Sequence, residues 1–224
     1  SILGRAQKAG LLDIHCHQIR DYTLNRQKQV DDYPYGGGQG MVMNAQPIAD
    51  CFRAVCSQIG RRPHLIYMSP GAVLTQQRAK ALAELPEICI LCGHYEGVDE
   101  RVLEALVDEQ ISLGDFVLTG GELPALALVD CISRMVPGVL SEEACFTDES
   151  HFSGLLEYPQ YTRPAVWEGR PVPEVLLTGH HVNIDKWRRE RALERTKRLR
   201  PDMLHTAALT DKDRIFLTKL DEST

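Results

Sequence analysis

Three segments of this 224-residue chain share one pattern, in which an apolar run is followed by a turn of small residues and then by helical periodicity. The turns are IYMSPGA at 66–72, ILCGHYEG at 90–97 and VLTGGELP at 117–124. Helical spacing recurs in QPIADCFRAVCSQIG (46–60), TQQRAKALAEL (75–85) and DERVLEALVDE (99–109). Such alternation predicts an α/β domain with a mostly parallel sheet. The three turns then lie at its carboxyl edge, where open α/β sheets bind ligands.

The composition of the turns restricts the ligand. None of them matches GxxxxGK[ST] or GxGxxG, and none contains a lysine that could meet a phosphate. They therefore favour a pocket of backbone groups around a neutral or zwitterionic molecule over a polyphosphate site. A further glycine cluster, Gly36–Gly38 with Gly40, fits either a flexible loop or tight packing against another surface. Tyr33 and Tyr35 beside it could stack on a base or anchor the loop.

Pairs of histidines and cysteines do not predict a metal site. His15 and His17 share one face of a strand predicted for LLDIHCHQI (11–19), but no third and fourth ligand lie nearby. Cys89 and Cys92, in the apolar run EICILCG, point to opposite faces of a strand. With seven cysteines and no signal peptide, reduced thiols are favoured over a disulfide framework.

Charge is distributed unevenly along the chain. The formal net charge is −6, from 25 basic and 31 acidic residues, yet residues 186–200 hold eight basic side chains and two acidic ones. This segment predicts a helix that contacts a phosphate backbone, or a solvated helix in which Glu190 and Glu194 form i,i+4 pairs. No apolar run reaches the roughly 18–20 residues that span a bilayer, and no signal sequence is present, so we expect a cytoplasmic protein.

The pattern divides the chain into three parts. Residues 1–140 contain the alternation of strands and helices, whereas 141–160 is acidic, aperiodic and interrupted by glycine and proline, which indicates a linker. In 161–224, a short strand or turn precedes the basic helix, which Pro201 should end, and a last helix follows. We therefore expect a small, mainly helical C-terminal domain.

Six ordered blocks of residues resemble a known family. They are DDYPYGGGQGM, CGHYEGVDER, GDFVLTGGELPA, SRMVPGVL, GLLEYPQYTRP and WRRERALERTKRLRPDML. Together they span nearly the whole chain and resemble the bacterial tRNA (guanine-N1) methyltransferases, the TrmD family. The resemblance implies a homodimer of the SPOUT class, whose parallel sheet contains a deep trefoil knot that binds S-adenosylmethionine. It also implies methylation, at N1, of the guanosine just 3′ of the tRNA anticodon.

Matching positions of the family place the methyl-donor pocket in the same three turns. From the first two turns, the resemblance implies Tyr67, Met68, Ser69, Pro70, Gly93, Tyr95, Glu96 and Gly97. From the third, it implies Leu113, Gly114, Phe116, Leu118, Gly120, Gly121 and Pro124. His94 stands where the family more often has Arg, which weakens any side-chain role at that position.

The reaction requires a base near N1 of guanine, because N1 carries a proton, and a cationic or N–H donor near O6, where negative charge accumulates. In the family, an Asp of the interdomain linker is the proposed base and an Arg before the linker stabilises the charge. Arg134 matches that Arg. Alignment without a gap, back from GLLEYPQYTRP, places Glu149 at the Asp, and Asp148 one position earlier competes for the role. Alternatively, both carboxylates only solvate the linker.

The resemblance assigns RNA binding to the C-terminal domain. The candidate contacts there are Arg163, Arg188, Arg189, Arg195 and Lys197. The family also suggests that Mg²⁺ assists loss of the N1 proton, although the sequence predicts no metal ligands in the protein.

Two other functions fit the sequence. A tRNA-binding protein that has kept the fold but lost catalysis would explain Glu149 in place of Asp. It would also explain why the sequence starts without the strand that ordinarily opens the family's sheet. We expect the absence of this strand to affect folding or dimerisation. A SPOUT methyltransferase with another RNA target would keep the donor site and change the substrate.

Overall fold

Strands and helices alternate along residues 1–140 in the computed structural model, which describes residues 1–140 and 149–222. The helices of this part are α1 (Ile2–Lys8), α2 (Ala45–Ile59), α3 (Gln76–Ala83), α4 (Glu100–Leu106) and α5 (Glu122–Ser133). Its strands are β1 (Asp31–Asp32), β2 (Val42–Met43), β3 (His64–Val73), β4 (Ile88–Cys92) and β5 (Glu109–Ser112). The predicted α/β alternation is confirmed, including the three helices inferred from periodicity.

Three of these strands form a parallel sheet in the order β4–β3–β5. Met68 of β3 pairs with Cys92, the last residue of β4, and with Ile111 near the end of β5. Beyond Met68, β3 shifts register against β5 and continues to Val73. The segments that leave β4 and β5 therefore begin on either side of the middle of β3.

Helices cover both faces of this sheet because side chains alternate along β3. Leu65 and Tyr67 pack in one cluster with residues of α2 and α4. Ile66 and Met68 point the other way and pack with residues of α3 and α5. Each buried side chain of this kind contributes about 1.5–3 kcal/mol, so β3 is fixed by two cores.

The ends of the helices follow local chemistry. The side chain of Thr75 caps α3 by accepting a hydrogen bond from the Arg78 amide at 3.2 Å, and Asp99 caps α4 in the same way. Gly60 ends α2 with φ of 77°, a left-handed conformation that favours glycine.

Polar contacts hold the amino edge of the sheet. Asp108 accepts hydrogen bonds from the Leu65 amide at 2.8 Å and from Arg62 at 2.9 Å. Glu109, beside it, pairs with Arg78 and lies 3.3 Å from Nε2 of His64. These contacts join β5 to the start of β3, at the edge opposite the turns.

Two strand predictions were wrong. Residues 11–18 form no strand, and a short 3₁₀ helix (Ile19–Tyr22) follows them. Leu11 and Ile14 are about two-fifths exposed, so the apolar residues of this segment have no sheet to cover them. The strand predicted for DFVLTGG (115–121) is not present, and β5 lies before that segment and ends at Ser112. There the Ser112 hydroxyl bonds both the amide and the carbonyl of Gly114 and turns the chain.

Contacts divide the chain into two compact units, Ser1–Ser141 and Glu142–Thr224. The second unit contains strands β6 (Val166–Trp167) and β7 (Arg170–Pro171) and helices α6 (His181–Leu199) and α7 (Asp211–Glu222). The basic helix and the last helix are therefore present as predicted, and Pro201 begins a 3₁₀ helix just beyond α6. Leu155 and Leu193 lie in the hydrophobic core of the second unit. Thr196 is also buried in this unit, and its hydroxyl donates a hydrogen bond to the Ala192 carbonyl at 2.7 Å.

Candidate functional site

Two loops meet at the carboxyl edge of the sheet. We call residues 93–97, after β4, the β4 loop, and residues 113–121, after β5, the β5 loop. The amide of Gly121 donates a hydrogen bond to the carbonyl oxygen of Gly93 at 2.8 Å. Next to this bond, His94 and Gly120 form an isolated antiparallel bridge. Two of the three segments predicted to bind a ligand are thus joined backbone to backbone.

Gly121 lies at the centre of this junction. A Cβ atom at Gly121 would lie 2.6 Å from the Cα of Cys92 and 2.8 Å from the amide nitrogen of Gly93, closer than any side chain can approach. Its φ of −81° is available to every residue, so the close approach, and not the backbone conformation, requires glycine. In the structure, the partner of this glycine is therefore the protein's own backbone.

The ring of Tyr67 supports the β4 loop from below. A Cβ atom at Gly93 would lie 2.8–2.9 Å from the Tyr67 ring and hydroxyl, so the ring packs directly on this glycine. Burial, with Glu100 nearby, raises the pKa of the Tyr67 hydroxyl. Met68 is buried beside it. Ser69 is held by a hydrogen bond from its hydroxyl to Oε1 of Gln110 at 2.9 Å, and Pro70 is exposed.

Other contacts fix the outer part of the β4 loop. Tyr95 has φ of 59°, and its hydroxyl accepts a hydrogen bond from Arg20 at 3.0 Å. The amide of Glu96 donates to the Met41 carbonyl at 3.0 Å. A Cβ atom at Gly40 would overlap the Glu96 side chain, whereas one at Gly36 or Gly37 would meet no atom within 4 Å, so only Gly40 of the glycine cluster packs tightly against another surface. Sequence reasoning left the role of this cluster open, and it did not find Arg20 because an arginine in a polar segment is unremarkable.

The β5 loop presents apolar side chains to solvent. Phe116 is 56% exposed and Leu118 is 41% exposed, while Leu113 and Gly114 are half-buried. The amide of Phe116 donates to the Gly114 carbonyl at 2.9 Å, and the ring folds back over Gly114. Pro124 is buried in the first turn of α5. The loop thus combines close backbone packing with apolar surface, which suits a ligand with an aromatic part and a polar part.

The candidate catalytic residues lie in different units. Arg134 is half-buried and follows the last residue of α5. Glu149 is half-buried in the second unit, and Asp148 lies outside the described residues. α5 separates the β5 loop from Arg134 by 12 helical residues, about 18 Å at the usual rise per residue.

Two basic side chains of helix α6 are paired with groups of α7. Arg189 donates to both carboxylate oxygens of buried Asp213, at 2.9 and 3.2 Å. Lys197 binds Asp221 at 2.5 Å and the Leu217 carbonyl at 3.2 Å. Both side chains therefore hold α7 against α6, a role that the sequence did not reveal because their partners lie on another helix.

Two of the three remaining candidates for RNA binding are exposed. Arg163 and Arg195 are exposed. Arg188 is half-buried, with its guanidinium carbon 4.9 Å from the centre of the Tyr158 ring. Arg198, also exposed, lies one turn beyond Arg195 and was missed by the selection from sequence.

Two negative observations apply to residues 1–140 and 149–222. Within these ranges, no helix combines the length and apolarity needed to cross a bilayer. In the same part of the chain, no three His, Cys, Asp or Glu side chains are grouped so as to hold a metal ion.

Comparison with known proteins identifies similar sequences. A family model described as tRNA (Guanine-1)-methyltransferase TrmD matches residues 1–206. The chain is 58% identical over 206 residues to the tRNA (guanine-N(1)-)-methyltransferase of Ruminiclostridium cellulolyticum, an alignment that covers 92% of this chain and 88% of that protein. The protein of the same name from Lachnospira eligens is 56% identical over 204 residues, 91% and 86% of the two chains. That from Alkaliphilus oremlandii is 50% identical over 226 aligned positions, 98% and 91%.

Proposed function

Because the chain belongs to the tRNA (guanine-1)-methyltransferase TrmD family, we propose that it methylates N1 of the guanosine just 3′ of the tRNA anticodon, with S-adenosylmethionine as methyl donor. The observation that carries the proposal is the junction of the β4 and β5 loops, which brings two of the predicted donor-binding segments together beside the middle of β3. We expect the protein to act in the cytoplasm, where its tRNA substrate is found.

The residues at the sheet edge fit such a donor. The β4 and β5 loops supply backbone donors and acceptors, and Phe116 and Leu118 supply apolar surface for a nucleoside. Neither loop contains lysine or arginine, in keeping with a ligand that carries no phosphate. When bound, S-adenosylmethionine supplies an electrophilic methyl group. The residues of the first unit hold and orient it.

Proton removal is the task of the linker carboxylate. We assign the base to Glu149, whose carboxylate takes the proton from N1 so that its lone pair can attack the methyl group. The guanidinium of Arg134 stabilises the negative charge that moves to O6. Asp148 is the competing base. A magnesium ion that assists this step would need only one or two protein carboxylates, since Mg²⁺ usually keeps waters and substrate oxygens as its other ligands.

We propose that the active site forms between two copies of the chain, with donor loops from one copy and Glu149 from the other. Leu123 and Leu126 of α5 are 64% and 62% exposed, and a pair of exposed leucines on one helix face favours burial against a partner. The 12 residues of α5 also separate the β5 loop from Arg134. Family membership further leads us to propose the deep trefoil knot of the SPOUT class within residues 1–140.

RNA binding is the proposed task of residues 161–224, with 141–160 as the linker. Arg163, Arg188 and Arg195 contact phosphates, whereas Arg189 and Lys197 maintain the fold of the second unit. This assignment keeps the RNA-binding surface predicted from the sequence, but it removes Arg189 and Lys197 from the residues that contact RNA.

A methylation assay tests the function. Unmodified tRNA transcript is incubated with labelled S-adenosylmethionine, and the modified nucleotide is mapped. We expect label on the guanosine beside the anticodon and none on a transcript with adenosine at that position. Label on another nucleotide would favour a different RNA target. Salt-sensitive tRNA binding without methyl transfer or donor binding would favour a protein that has lost catalysis.

A further inference from the structure

The two loops of the candidate donor site are also joined by a pair of side chains. Nε2 of His94, in the β4 loop, lies 2.5 Å from Oε1 of Glu122, the first residue of α5. A Cβ atom at Gly120 would lie 2.9 Å from the His94 ring and 2.7 Å from the Glu122 carboxylate, so the glycine leaves room for the pair to close. The contact lies beside the Gly121–Gly93 hydrogen bond and spans the same junction.

A thiol and two tyrosine side chains lie near the pair. Burial, with Glu122 and Cys16 nearby, raises the pKa of Cys92 to about 11, so this thiol stays neutral. The ring of Tyr95 is tilted against that of His94 at a centroid distance of 6.1 Å, and its hydroxyl is bound by Arg20. Burial, with Glu100 nearby, also raises the pKa of Tyr67, which lies beneath the loop.

We propose that His94 and Glu122 are positioning residues for the methyl donor, because their contact fastens the β4 loop to the start of α5. The proposal rests on the proposed function, since it assigns the donor to this junction. A protonated imidazole attracts the Glu122 carboxylate as an ion, whereas a neutral one offers a single hydrogen bond.

The size of the effect follows from exposure. The side chains of His94 and Glu122 are 46% and 57% exposed, and ion pairs this exposed are weak. We expect loss of the pair to lower donor affinity about two- to five-fold. Arginine at position 94 would keep its charge and could still reach the carboxylate.

Calorimetric titration with S-adenosylhomocysteine tests the pair. His94→Gln and Glu122→Gln should each lower donor affinity about two- to five-fold. His94→Arg should retain affinity, because its guanidinium can still reach the carboxylate. His64→Gln is the matched control, because His64 contacts a carboxylate at the opposite edge of the sheet, and it should bind the donor as the unaltered protein does. Unchanged affinity in both glutamine variants of the pair would overturn the proposal.

Hydrogen exchange of the Gly121 amide gives a readout that needs no donor. This amide spans the junction, so its protection at pH 6 should fall in His94→Gln and Glu122→Gln and persist in His94→Arg. Unchanged protection in both glutamine variants would contradict the proposal. If the unaltered protein binds no S-adenosylhomocysteine at any pH, the proposed function fails instead, and the exchange data alone decide whether the pair fastens the loops.

Discussion

At Gly121, the backbones of two loops approach too closely for any side chain. Gly121→Ala would place a methyl group 2.6 Å from the Cα of Cys92. We expect the free energy of unfolding to fall by about 1–3 kcal/mol, as overpacking usually costs, with weaker donor binding because the loops must separate. Denaturant titration and calorimetry measure the two effects.

Gly120→Ala is the control for this prediction. The atoms nearest its added methyl group are the ends of the His94 and Glu122 side chains, which can move. A smaller loss of stability than in Gly121→Ala is therefore expected. Equal losses would mean that the backbone contact is not what requires glycine. Donor binding lost at full stability in Gly121→Ala would instead indicate a direct role with the ligand.

Glu149 is the residue on which the proposed chemistry depends. Glu149→Gln keeps the size and hydrogen-bonding capacity of the side chain but removes the base, so we expect methyl transfer to slow about 10²-fold or more. Affinity for S-adenosylhomocysteine should change little, because the donor loops belong to the first unit. Single-turnover kinetics with tRNA transcript measure the rate. Asp148→Asn is the comparison, and a large loss there, with Glu149→Gln active, would move the base to Asp148.

Asp213 links the stability of the second unit to pH. Burial raises the pKa of this carboxyl, but hydrogen bonds from Arg189 and Thr210 outweigh burial and leave it at about 2. Its stabilisation is therefore complete above the unfolded value of about 3.9 and is lost as pH falls towards 2. Asp213→Asn should destabilise the protein by about 2 kcal/mol at pH 7, and the difference should vanish near pH 2.

Denaturant titrations at several pH values check this expectation. Asp211→Asn is a suitable control, since Asp211 is exposed in the same turn of α7. A variant difference that does not depend on pH would show that Asp213 acts through its shape and not through its charge.

Helix α6 shows why charge on an element does not identify its function. Arg195→Gln should weaken tRNA binding and reduce the slope of log affinity against log salt by about one, with little change in stability. Arg189→Gln should instead lower stability, because it leaves buried Asp213 without its cation. Filter binding at several salt concentrations and denaturant titration separate the two effects. Equal salt slopes in both variants would contradict the division of α6.

Elements with a periodic burial pattern were predictable from the sequence, and elements defined by their partners were not. α2 follows from Ile48, Phe52 and Val55 on one face, because burial in a helix imposes that spacing. Apolar content alone suggested a strand at residues 11–18, but it cannot show whether a neighbouring strand is available. The structural roles of Arg189 and Lys197 were hidden for the same reason.

Site residues followed a similar division. Two of the three turns, now the β4 and β5 loops, were identifiable because small residues after apolar runs mark the carboxyl edge of a parallel sheet. The first turn prediction was wrong, because residues 69–72 lie within β3, which continues past a register shift to Val73. The His94–Glu122 pair was not, since their contact depends on the path of the β5 loop after Ser112, where the predicted strand had already ended.

Association of two chains is the prediction that belongs to the whole molecule. Leu126→Glu would place a charge on the apolar face of α5, so we expect a shift from dimer to monomer and a loss of methyl transfer. Sedimentation analysis measures the first and the tRNA assay the second. Ile215→Glu, at a site 57% exposed on α7, is the control and should leave the mass unchanged. A monomer that retains full activity would exclude a site shared between chains.

The junction of the β4 and β5 loops also bears on how the sequence can diverge. At this junction the backbone of Gly121 packs against the backbone of Cys92 and Gly93, which leaves no room for a side chain at position 121. His94, Tyr95 and Glu96, in contrast, are exposed. A change at one of these side chains can thus alter a contact, such as that of His94 with Glu122, while the path of the chain is retained. Among related proteins, we expect the glycines at this edge to be shared through common descent. The residues between them should differ according to each organism's own conditions.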